Sequence, residues 1–146
     1  MLLIASGLPK TECLSTLLTG AQMLDTELDR FDYMAMHDRC AVCYWPAERK
    51  GRWMELHHIV GGSGRKDCIE NWIPLCCRCH HAVHNKLPDY GEIPKGAILS
   101  AKEELDILDE AKLASLKGRQ SLPYEKCPIP DQFLEERGVQ GGAPWP

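Results

Sequence analysis

The sequence predicts a small α+β domain: two short strands and a short helix stapled by a metal, with helices on either flank. Three observations lead there. Two Cys-x-x-Cys pairs, Cys40/Cys43 and Cys76/Cys79, bracket 32 residues. Between them, 51–60 and 71–76 have the β-branched and aromatic character of strands, and 77–86 suits a short helix. On the flanks, apolar residues recur at helical spacing. At 146 residues, 44% hydrophobic and 26% charged, the composition is that of one globular domain with length left for arms. With 7% aromatic residues, a large aromatic core is not expected.

Taken in order, residues 1–20 carry little pattern. From about Gln22 to His37, Leu24, Leu28, Phe31 and Ala35 recur at helical spacing with acids opposite, which predicts an amphipathic helix packed on the centre as scaffold. "GRWMELHHIV" (51–60) reads as a strand running into "GGSGRK", a flexible loop. "NWIPLC" (71–76) reads as a second strand, with Pro74 confining it to an edge or to its end. "CRCHHAVHNK" (77–86) predicts a short helix ended by Leu87-Pro88, and the Pro/Gly-rich connector "LPDYGEIPKG" follows. Ser100-Ala-Lys-Glu103 has the form of a capping box, opening a second scaffold helix that stops near Gly118. Beyond it, Pro123, Pro128, Pro130 and "GGAPWP" predict an extended or disordered tail. The chain thus divides into an arm with a helix (1–37), a central module (38–86), a connector and helix (87–120), and a tail (121–146).

Six of the eight cysteines and five of the six histidines lie between Cys40 and His84. A disulfide scaffold would spread its cysteines, whereas clustering marks a metal site. Each Cys-x-x-Cys pair lets one chain turn present two thiolates to a tetrahedral zinc. Cys13, Cys68, Cys77 and Cys127 lack partners at ligand spacing and receive no role. The net charge of −4 divides unevenly: residues 39–86 carry +4 and the remainder −8. The Cys/His-rich centre is the basic part of an acidic chain, which favours a polyanionic partner. No apolar run approaches the roughly 20 residues of a membrane span. The opening "MLLIASGLPK" has no basic n-region, so the expected location is the cytoplasm.

Between and after the knuckles come His57-His58, Asn71, and His80 with His84. Neighbours on a strand face opposite ways, but at a strand end running into a glycine loop both histidines can turn to one site. His80 and His84, four apart on a helix, share a face; His81 points elsewhere. In order, Cys40-x-x-Cys43, "ELHHIV", "ENWIPLC" and "CRCHHAVH" resemble the HNH endonucleases, over roughly residues 38 to 86. That resemblance implies a ββα-metal core with a structural zinc on four cysteines, Cys40, Cys43, Cys76 and Cys79. It makes His57 and His80 ligands of a catalytic divalent ion, with His84 the additional ligand of a histidine-rich subgroup. It makes His58 the general base, and Asn71 the residue that orients that base or stabilises its loop.

The implied activity is metal-dependent hydrolysis of DNA phosphodiesters, leaving 5′-phosphate and 3′-hydroxyl ends. Imidazole ligands suit Mn²⁺, Ni²⁺ or Zn²⁺ better than Mg²⁺. Arg49, Lys50, Arg52, Arg65, Lys66 and Arg78 are candidate phosphate contacts. The chain is similar to small free-standing HNH proteins of phages and bacteria, which would place it in the host cytoplasm if phage-encoded. A protein partner or a second copy would dock on the flanking helices. The alternative is a zinc-stapled nucleic-acid-binding module that cuts nothing. Its basic cluster would remain useful, but it has no need of His58.

Overall fold

The computed structural model describes residues 29–63 and 65–139, and its architecture is mixed α and β around one two-stranded antiparallel sheet. Strand β1 (Met54–His58) pairs with β2 (Trp72–Cys76) in the register Met54↔Cys76 to His58↔Trp72. Among the described residues five α-helices accompany them: α1 (Arg30–Ala35), α2 (Cys77–Val83), α3 (Lys95–Leu105), α4 (Glu110–Ser115) and α5 (Asp131–Val139). Strand β2 is buried at all five positions, because helices cover one face and the first cysteine turn covers its outer edge. Among the described residues no helix is long and apolar enough to cross a membrane.

Pro74 sits mid-strand, opposite Leu56. Its carbonyl accepts from Ala41 N–H at 2.9 Å on the side away from β1. A residue's N–H and C=O point to the same side of a strand, so the missing proline donor costs the ladder nothing. The bond to Ala41 fixes the Cys40–Cys43 turn against β2. Helix α2 ends at Val83, with His84 at its C-cap, rather than at Leu87-Pro88. Asn85 takes a left-handed φ of 53°, and Lys86 N–H closes back on the His81 carbonyl at 2.9 Å.

The flanks depart further from expectation. Residues 22–28 of the first scaffold helix, with Leu24 and Leu28, lie outside the described residues. In the part that is described the buried face is Tyr33, while Phe31 is 83% exposed. Tyr33 is drawn in by its hydroxyl, 2.9 Å from the Trp72 carbonyl and 3.0 Å from Asp106 Oδ2. The second scaffold helix is two helices, and Ser100 is inside the first of them rather than at its cap. Its Oγ donates to the Cys127 carbonyl at 2.6 Å. A Cβ on Gly96 would stand 2.1 Å from the Glu125 carbonyl oxygen, so the 125–127 segment runs directly across α3. The break falls at Asp106, whose carboxylate accepts from Lys102 and from its neighbour's N–H on Ile107 at 2.6 Å. Asp109 then caps α4.

Within the described residues the expected tail carries a helix, α5, rather than an extended chain; Trp145 lies outside the described residues. Pro130 precedes α5 as a start signal, and Phe133 and Ile129 enter the core. Arg137 donates to the Val42 and Ala41 carbonyls at 2.7 and 3.2 Å, so α5 braces the first cysteine turn.

Lys102 ties these elements together. Fully buried, its ammonium lies 2.8 Å from the Ile69 and Trp72 carbonyls, 2.9 Å from Asp106 and 3.2 Å from the Tyr33 hydroxyl. Lys102→Met should destabilise the protein by about 3 kcal/mol, since it strands a carboxylate and two carbonyls. Urea melts read this directly; a loss below about 0.5 kcal/mol, the range of an ordinary surface change, would show the network to be idle.

Candidate metal centres and active site

Two clusters of metal-type ligands occur among the described residues. In the first, the sulfurs of Cys40, Cys43, Cys76 and Cys79 lie within 4.8 Å of one another, and all four residues are fully buried. Two sulfurs on one zinc, each about 2.3 Å from it, stand roughly 3.8 Å apart in a tetrahedron. The Cys43 and Cys76 sulfurs are 3.7 Å apart. That is close to the tetrahedral edge and far beyond a disulfide bond. The quartet is compatible with a structural zinc. Hydrogen bonds from Cys40, Cys43 and Cys79 draw the Cys76 thiol well below the usual cysteine range, whereas burial pushes Cys40 up.

The second cluster is His57, His80 and His84, whose ring nitrogens also lie within 4.8 Å of one another. The strand supplies His57 and α2 supplies the i, i+4 pair. His80 and His84 face each other through Nε2 at 3.2 Å. Nitrogens sharing one ion at about 2.1 Å stand roughly 3.0 to 3.4 Å apart, so the pair fits a common ion. Burial, then the neighbouring His80 and His84, push the His57 pKa down to about 3, which keeps its ring neutral. His84 is lowered in the same way, first by burial.

Behind His80 stands Glu55, whose Oε2 bonds His80 Nδ1. A proton held on Nδ1 leaves the Nε2 lone pair turned to the cluster, the arrangement that outer-shell carboxylates impose on metal-binding histidines. Burial would raise the Glu55 carboxyl, but the bonds from His80 and from Trp53 Nε1, the latter at 2.7 Å, outweigh it and lower it. Glu55→Ala should weaken divalent-ion binding at the histidines by about tenfold to a hundredfold. Calorimetric titration with Mn²⁺ or Ni²⁺ after zinc loading reads this; unchanged affinity would remove Glu55 from the site.

His58, one residue on, joins none of these ligands. Its Nε2 lies 2.7 Å from Asp67 Oδ1, and Asp67 also accepts from Trp72 Nε1 at 3.3 Å. The bond from His58 holds the Asp67 carboxyl below the usual range. His57 and His58 nevertheless line one cavity of about 320 Å³, together with His84 and Lys95. Asn71, fully buried, bonds to the loop after His58 rather than to its ring. Its Oδ1 accepts from Val60 N–H at 2.7 Å, and its Nδ2 donates to the Val60 and Lys66 carbonyls at 3.1 and 2.9 Å. Of the two roles open to it, the bonds it makes are those of a loop staple.

The basic candidates scatter. Arg65 and Lys66 are exposed on the loop that follows His58. Arg49 stacks on Trp45, with its Cζ 4.8 Å from the ring centroid, and Lys50 is exposed beside it. Arg78 stacks on Tyr90 at 3.9 Å and shares with His81 a different cavity from that of His57. Arg52 is not a surface phosphate contact. It is only 9% exposed, its guanidinium lies 3.6 Å from Cys43 Sγ, and it pairs with Glu136 at 3.1 Å. Its charge is met by Glu136 and lies against the cysteine sulfurs.

Glu55 and Asp67 are the side chains that sequence reasoning passed over. Glu55 carried a signal, since positions i and i+2 of a strand share a face and His57 is its i+2 neighbour. Asp67 carried none, because an irregular loop has no period.

No curated protein and no solved structure matches the chain. Residues 40–86, roughly a third of it, match the family model for the HNH endonuclease. The segment that holds all seven metal-type ligands and His58 is therefore the one that resembles the HNH endonuclease family.

Proposed function

We propose that this protein is a metal-dependent DNA endonuclease, with His58 as general base and one divalent ion on His57, His80 and His84. The observation that carries the reading is the cavity where His58 stands beside two of the three histidines of the cluster. A zinc-stapled module that only bound DNA would have no use for either a second ligand cluster or an oriented histidine outside it.

An ion bound there supplies Lewis acidity to the non-bridging and leaving oxygens of the phosphate. The chain's own residues do the rest. His58 takes the proton from the attacking water, and Asp67, bonded to the other side of its ring, fixes the ring plane and stabilises the imidazolium that results. Asn71 holds the 59–66 loop so that His58 keeps its place at the strand end. Arg65 and Lys66 on that loop, with Arg49, Lys50 and Arg78, are the basic candidates to meet the backbone phosphates. The four-cysteine zinc fixes the base of the hairpin and helix. Imidazole ligands favour Mn²⁺, Ni²⁺ or Zn²⁺ over Mg²⁺.

The test is supercoiled plasmid incubated with zinc-loaded protein and Mg²⁺, Mn²⁺ or Ni²⁺, against EDTA as a brief control. Nicked or linear product that requires the added ion supports the reading. Salt-sensitive DNA binding with no cleavage under any ion would leave the binding module instead.

A further inference from the structure

Helix α3 meets the HNH-like segment at Lys95, its first residue. Lys95 lines the catalytic cavity with His57, His58 and His84. It also lines an adjoining cavity of about 300 Å³, whose wall includes Lys117, Arg119 and Tyr124. Ile59 and Gly61, just past His58, border both. The Lys95 ammonium is 5.9 Å from the Tyr124 ring centroid, an approach that keeps it over the junction. Lys117 Nζ donates to the Ser63 carbonyl at 2.7 Å, which holds its charge against the loop following the base.

Together the two walls carry three cations and no carboxylate. In a chain of net charge −4 that is a selective arrangement. The acids on and beside α3 are paired elsewhere: Asp106 with Lys102, Glu103 with Lys126, Glu104 with Arg137. Lys95, Lys117 and Arg119 all lie outside the segment 40–86 that matches the HNH family.

We propose that this second cavity seats a DNA phosphate that flanks the one being cut, held by Lys95, Lys117 and Arg119. This rests on the nuclease reading for its choice of polyanion. A strand placed at the histidines can run past Lys95 without leaving a cationic wall, and that continuity suits a polymer of phosphates better than an isolated anion. Helices α3 and α4 are then part of the DNA interface as well as scaffold.

The experiment measures duplex binding by fluorescence anisotropy across a salt series, using full-length zinc-loaded protein in which His58→Ala prevents cutting. Adding Arg119→Ala should weaken binding several-fold and reduce the slope of log affinity against log salt by about 1, since one phosphate fewer is neutralised. Adding Lys117→Ala as well should reduce it further. Lys126→Ala, which removes an exposed charge paired with Glu103 and outside both cavities, should leave the slope alone. Melting curves and zinc content establish that each variant is folded. An unchanged slope in the Arg119→Ala and the double variant overturns the proposal, even if the wild type cuts plasmid. A reduced slope with a wild type that cuts nothing keeps the phosphate seat and discards the nuclease.

Discussion

Cys43→Ser, or withdrawal of zinc by a strong chelator, should unfold the centre of the molecule. The hairpin and α2 together are too small to bury a self-sufficient core. The four cysteines tie the Cys40–Cys43 turn to the junction of β2 and α2, which one backbone hydrogen bond from Ala41 to Pro74 and the brace from Arg137 also hold. Structural zinc contributes an apparent ~10–16 kcal/mol of folding free energy, as much as the whole stability of an ordinary domain. Without it the four buried sulfurs are left as thiols with no ion to hold them together, and Arg52, which keeps Glu136, no longer faces thiolate charge. The expected result is loss of bound zinc together with loss of the cooperative thermal transition followed by tryptophan fluorescence. Divalent-ion binding at His57, His80 and His84 should vanish in the same variant, because strand and helix no longer present them together. A Cys43→Ser protein that melts like wild type would show that the quartet is not what holds the domain.

How much of this was legible beforehand depends on the kind of signal. Cys-x-x-Cys spacing and the i, i+4 histidines are local and periodic, so the cysteine quartet and the His80/His84 pair could be read from the chain, whereas His57 entered through the resemblance to the HNH endonucleases. The strand pair was legible for the same reason, although β1 begins at Met54 rather than Gly51. What failed was non-local. The helix in the tail is decided by Phe133 reaching a core built by other elements and by Arg137 reaching carbonyls nearly a hundred residues earlier. Proline content alone reads as disorder there. The Ser100 capping box is a true pattern overridden by the Cys127 carbonyl, which its hydroxyl meets from inside a helix. Arg52 looked like one more surface cation because nothing in its neighbours announces that it turns inward toward sulfur. Phe31 fits a helical period better than Tyr33 does, yet only a hydroxyl could join the buried network around Lys102.

His58→Ala should leave the protein folded, with only a modest loss of stability from truncating a ring that is 8% exposed, while reducing cleavage by about a hundredfold to ten-thousandfold, the usual worth of a general base. The separation follows from where the ring sits. It is outside the triad that would hold the ion, so binding of Mn²⁺ or Ni²⁺ should persist in the variant. Its hydrogen-bond partner Asp67 is more than half exposed and keeps the Trp72 indole, so the truncation leaves that carboxylate solvated and bonded. The loss should therefore fall on kcat, with DNA affinity close to wild type, since a residue that acts only as proton acceptor contributes in the transition state. Asp67→Asn should produce a smaller loss of the same character. It can still hold the ring by a hydrogen bond, but no longer carries the charge that stabilises an imidazolium. The order wild type, Asp67→Asn, His58→Ala in cleavage rate, with ion binding constant across the three, is the signature of a base and its orienting carboxylate. Loss of ion binding in His58→Ala would instead make His58 a ligand, and equal rates for wild type and His58→Ala would move the base elsewhere.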